Sequence, residues 1–142
     1  MQACPIHCVE RSRRTNAQAR AALVADCLKG FTDDEEIQQA FYAIEYSEFI
    51  YGTDFHGSKQ EREIDKLLRQ FANLALSWQA GLVSTADVRP VHYYVKRILK
   101  DSGISKYLEF MEIWSAGQGV INRPCGVLTK MERALEKSCL KL

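Results

Sequence analysis

The sequence predicts an all-α fold, a compact bundle of about five to six antiparallel helices. Three observations carry that prediction. Apolar residues recur at i, i+3, i+4 and i+7 through most of the chain, the period of one helix face. The eight glycines and three prolines fall mainly between these periodic stretches, where they act as punctuation. No segment shows the apolar–polar alternation of a half-buried strand.

The elements follow in order. From about Glu10 to Leu28, Ala17, Ala21, Val24 and Leu28 make one stripe beside Ala22, Leu23 and Cys27, and Gly30 is the expected stop. Thr32 with Glu35, or Asp33 with Glu36, offers a capping box, and the acids from Asp33 to Glu36 suit the positive end of a helix. A second helix is expected over Asp33 to Tyr51, ending at Gly52. Ser58 with Glu61 caps a third helix to about Ala80, with Ile64, Leu67, Leu68, Phe71, Leu74, Ala75 and Trp78 on one face. Ser84 with Asp87 is another capping box. Pro90 then requires either a cap at Asp87 or a short turn ahead of the main helix, because proline is tolerated only in a first turn. Val88, Val91, Val95, Ile98 and Leu99 form the apolar face of this fourth helix. Ser105 opens a shorter helix through Tyr107, Phe110, Met111 and Trp114. Gly117, Gly119 and Pro124 mark a loop before a last helix with Leu128, Met131 and Leu135.

A chain of 142 residues fits one domain, 1–142, with residues 1–10 and 116–125 expected as loose ends or loop. Composition is globular, at 46% apolar and 26% charged, and the net charge of +1 provides no global field toward nucleic acid or membrane. No apolar run reaches the roughly 18–20 residues of a membrane span. The N-terminus lacks the basic and apolar regions of a signal peptide, so a cytoplasmic setting is expected. Five cysteines, an odd number, then point to reduced thiols, with Cys27 a small buried hydrophobe.

The stretch from Phe41 to Tyr51 holds five aromatic residues and two glutamates, Glu45 and Glu48. As a helix, it would place Ile37, Ala40, Phe41, Ile44 and Tyr51 on one face with Glu48 among them. Tyr42, Tyr46, Phe49 and Ile50 would lie opposite, against other helices or a second copy of the chain. That arrangement would make the segment a packing hub. A carboxylate in an apolar seam needs a partner, and carboxylates inside bundles can hold paired metal ions. Those sites repeat a Glu-x-x-His spacing that this chain lacks, so no metal is assigned, and a partnered or solvent-reaching Glu48 is preferred. Cys4, His7 and Cys8 have ligand chemistry, and Cys125 or Cys139 could complete a zinc tetrahedron if the termini met, but no second Cys-x-x-Cys pair or His-x-x-x-His spacing exists and a frayed terminus is preferred there too. His92 borders an apolar face and reads as a packed, hydrogen-bonded histidine. Arg89, Tyr93, Lys96, Arg97 and Lys100 form a basic face that could follow phosphates and stack on a base, or simply be solvated.

From about Thr15 to Trp114 the element order resembles a family of small bacterial and phage helical proteins of unknown function. The matching residues are Trp78-Gln-Ala-Gly81, the Leu-Val-Ser84 turn, and Tyr107-Leu-Glu-Phe110 before Trp114. The resemblance implies an all-helical fold and transfers no activity or site residue.

The expected function is a non-enzymatic helical interaction module, a homodimer that binds a protein partner, with no cofactor. A nucleic-acid-associated regulator using the basic helix face is the second reading. An enzyme with a metal or small-molecule site around Glu45 and Glu48 is the third.

Overall fold

A computed structural model describes residues 5–120 and 125–141. Among these residues the fold is all-helical. The elements are α1 (Pro5–Asp33), α2 (Glu35–Glu45), α3 (Lys59–Gln79), α4 (Thr85–Val88), α5 (His92–Lys100), α6 (Ser102–Gly117) and α7 (Gly126–Cys139). A single 3₁₀ turn, Arg89–Val91, joins α4 to α5.

α1 is longer at both ends than expected. It begins at Pro5 and runs through Gly30. Residues 6–19 are exposed, and burial starts only near Val24 and Cys27. Burial among apolar neighbours pushes the Cys27 thiol up to about 12. Gly30 does not stop the helix, because its missing side chain makes room for another one. The Gln70 amide from α3 lies where a Cβ would sit, and its Nε2 donates to the Cys27 carbonyl. The glycine therefore serves helix–helix approach at a modest cost in propensity.

The break comes at Asp34, whose extended backbone makes it the N-cap of α2 in place of Thr32 or Asp33. Its Oδ1 accepts from the amides of Glu36 (3.0 Å) and Ile37 (3.2 Å), and its Oδ2 pairs with Lys66 Nζ at 2.6 Å. Gln38 Nε2 donates to the Phe31 and Thr32 carbonyls, closing α1. The Lys66 ammonium, helped by the two amides, holds the Asp34 carboxyl below the usual carboxylate range. A lowered folded pKa means stability that is present above the unfolded value of about 3.9 and lost as pH falls through the folded value. Resistance to thermal or urea unfolding should therefore weaken below about pH 4, and Asp34→Asn should flatten that acid limb. An identical acid profile in the variant would show that the cap does not carry the effect.

α2 stops at Glu45, six residues before the expected end at Tyr51. Ser47 takes a left-handed backbone (φ 57°), and the amides of Glu48 and Phe49 both donate to the Ala43 carbonyl. Two long-range contacts favour this ending over continued helix. Arg97 of α5 donates through Nη2 to the carbonyls of Ile44 (2.5 Å) and Glu45 (3.2 Å), groups that a longer helix would have used itself. Phe49 then turns inward onto Gly103, where an added Cβ would lie 2.7 Å from the Phe49 ring.

The central element is α3. Ser58 caps it, accepting from the Glu61 amide at 3.1 Å, while the Glu61 carboxylate accepts from Gly57 N–H and meets His56 Nδ1 at 3.0 Å. Ile64, Leu67, Phe71 and Ala75 are completely buried. α3 packs against α1, α2 and α7, so it, rather than the 41–51 segment, is the hub. The Phe71 ring lies among those of Phe31 (5.6 Å) and Tyr94 (6.3 Å).

The Ser84–Asp87 capping box forms with both hydrogen bonds, and the following 3₁₀ turn absorbs Pro90 ahead of α5. α6 starts at Ser102, earlier than Ser105, because Asp101 caps it by accepting from the Ile104 amide. α7 buries Val127, Leu128, Met131 and Leu135 against α3 and α5.

Candidate functional site

The residues singled out in the sequence do not converge on one place. Glu48 lies beyond the end of α2 and is exposed, so the carboxylate in an apolar seam is not there. Glu45 is half-buried, and its Oε1 accepts from the Tyr93 hydroxyl at 2.6 Å. That hydrogen bond to the carboxylate is the main cause of the raised Tyr93 pKa. The buried Oε2 of Glu45 has no hydrogen-bond partner among the described residues.

The supposed outer face of the aromatic segment divides. Tyr42, Tyr46 and Ile50 are exposed, with the Tyr42 and Tyr46 rings stacked 6.0 Å apart. Phe49 is only 6% exposed and belongs to the core, so it cannot meet a second chain. The early end of α2 lets Phe49 turn inward, away from exposed Tyr42 and Tyr46.

The basic face is largely occupied internally. Arg97 closes α2, Tyr93 serves Glu45, and Lys96 Nζ pairs with Glu136 at 2.7 Å. Arg89 and Lys100 remain exposed. Of the cysteine cluster, Cys4 lies outside the described residues, while His7 and Cys8 are exposed on α1.

Two features that sequence reasoning did not single out are better formed. The first is apolar. Along the outer half of α6, Phe110, Ile113 and Trp114 form a stripe at i, i+3 and i+4, with Ile113 65% and Trp114 59% exposed. On the other side of the helix, where Leu108, Met111 and Glu112 project, a groove of about 800 Å³ lies between α3, α6 and α7. Leu68, Ala72, Leu76, Leu108 and Met111 line its apolar part, and Arg69, Lys130 and Arg133 add cations. The sequence signal was the apolar pattern of Tyr107, Phe110, Met111 and Trp114 along one short helix. Ile104 and Tyr107 enter the core and Leu108 and Met111 pack against it, whereas Phe110, Ile113 and Trp114 lie on a face of α6 turned to solvent.

The second feature is polar and lies on the seam between α5 and α7. His92 Nε2 is 3.2 Å from Glu136 Oε1, and His92 Nδ1 is 3.6 Å from Cys139 Sγ. Glu132 stands one turn before Glu136, and ligand atoms of His92, Glu132 and Glu136 lie within 4.8 Å of one another. The Lys96 ammonium, followed by His92, lowers the Glu136 pKa. Glu132, Glu136 and Cys139 are spaced i, i+4 and i+7, one face of a helix, and that spacing is readable in the sequence. The partner, His92, is 44 residues from Glu136 and only the fold brings it there.

A thiol, an imidazole and a carboxylate in line have the order of a nucleophile, its base and an orienting group. However, Cys139 is the last residue of α7, where a helix presents carbonyls rather than the amide pair that would stabilise an oxyanion. The arrangement is better suited to holding a cation than to acyl transfer. Comparison with protein-family models, curated proteins and solved structures found no match for this chain.

Proposed function

We propose that the chain is a helical interaction module that pairs with a second copy of itself through the outer half of α6. The observation that carries this reading is the exposure of Phe110, Ile113 and Trp114 in one stripe on the outer face of α6. Single exposed apolar residues are ordinary, whereas three large apolar side chains contiguous on one helix face mark an association surface. Trp and other aromatics are also the side chains that dominate binding energy at such surfaces.

A second copy is the occupant favoured by shape and charge. α6 is both the bearer of the stripe and one wall of the groove, through Leu108 and Met111. A two-fold axis along the outer face of α6 would set each stripe against the same stripe of the other copy, the self-complementary geometry of a closed dimer. With a net charge of +1, two copies repel each other little. A cytoplasmic setting belongs to the same reading, since the described cysteines are unpaired. No described helix is long and apolar enough to cross a membrane.

The test is a double charge substitution, Ile113→Glu with Trp114→Glu. Full burial of each such side chain contributes roughly 1.5–3 kcal/mol, so losing one pair already weakens association about tenfold or more. Light scattering should report the variant as a monomer at concentrations where the native chain is dimeric, with unchanged helical circular dichroism. A variant that still dimerises would place the interface elsewhere, and the Tyr42–Tyr46 face would then be the next candidate.

A further inference from the structure

We propose that His92, Glu132 and Glu136 form a binding site for a divalent transition-metal ion, with zinc as the closest chemical match. Three observations carry the proposal. First, the donor set is one imidazole and two carboxylates on two packed helices, a composition that favours zinc over magnesium or calcium. Second, the spacing is close to what an ion needs. Bonds of about 2.0–2.1 Å at tetrahedral angles set donors about 3.3 Å apart. His92 Nε2 and Glu136 Oε1 are already 3.2 Å apart, and rotation of the half-buried Glu132 side chain closes the remaining distance from within 4.8 Å. Third, the other ring nitrogen of His92 has a neighbour, Cys139 Sγ at 3.6 Å, in the position from which a second partner orients a metal-binding histidine.

The place already attracts positive charge. Lys96 Nζ lies 2.7 Å from Glu136 and also feels the field of Glu132. With the imidazole neutral, as metal binding requires, two carboxylates face one ammonium and one negative charge is left over. Glu132 makes no ion pair among the described residues. The ion and Lys96 therefore compete for Glu136, and binding swings the flexible lysine stem out to solvent. This competition gives the proposal a signature that loosely held surface zinc would not share.

The experiment is calorimetric titration of zinc chloride into the full-length chain kept reduced. Glu132→Gln and Glu136→Gln should each weaken the binding at least tenfold, with helical circular dichroism unchanged. Lys96→Met should tighten it severalfold, because Glu136 loses its resident cation. Magnesium chloride should bind far more weakly than zinc. Zinc binding that persists in both glutamine variants would overturn the proposal and move the ion to residues such as Cys8 and His7. Equal or weaker binding in Lys96→Met, or no zinc uptake by the native chain at millimolar concentration, would overturn it as well.

Discussion

Phe71→Ala is expected to cost about 3–5 kcal/mol of folding stability, the largest effect of any single truncation considered. The ring is fully buried at the centre of α3, with Phe31 and Tyr94 around it. Removing it leaves a cavity between helices that are held by many other contacts and cannot close over the gap. The loss is then transfer free energy plus a cavity term. Tyr46→Ala is the informative companion, because Tyr46 lies in the aromatic segment but is exposed beyond the end of α2. It should shift stability by no more than about 0.5 kcal/mol. Urea denaturation of both variants locates the hub of the fold. A large loss at Tyr46 and a small one at Phe71 would move it back to residues 41–51.

Arg97→Met should cost about 2–4 kcal/mol, although Arg97 belongs to what looks in sequence like a solvated basic face. Its guanidinium donates to two carbonyls at the end of α2, and hydrogen bonds to a charged group contribute roughly 1.5–3 kcal/mol each. The positive charge also lies at the negative end of the helix dipole. Methionine keeps much of the apolar stem but leaves both carbonyls without this donor. Arg89→Met and Lys100→Met, both at exposed positions, should change stability by less than about 0.5 kcal/mol. Three similar values would mean that Arg97 is a surface cation after all and would reopen the nucleic-acid reading of that helix.

These contrasts show where local pattern was a sufficient guide. The amphipathic face of α3, the Ser58 and Ser84 caps and the Pro90 turn are set by residues within one or two helical turns, and each is readable from spacing alone. The end of α2 is not. Periodicity continues past Glu45, but the chain leaves the helix because Arg97 and Gly103, more than fifty residues away, reward a different path. Gly30 misleads for a related reason. Its local signal is a helix stop, whereas its role depends on Gln70 crossing from α3. The candidate sites were legible only in halves. The Phe110 and Trp114 pattern announces an apolar face without saying whether anything covers it. The Glu132–Glu136–Cys139 line needs His92 and Lys96 from α5 before it becomes a site at all.

Sedimentation velocity of the native chain across a concentration series measures pairing through α6. At tens of micromolar the chain should sediment as a dimer that dissociates on dilution, as expected for an interface built on a few aromatic and aliphatic side chains. A chain that sediments as a monomer throughout that range would contradict it.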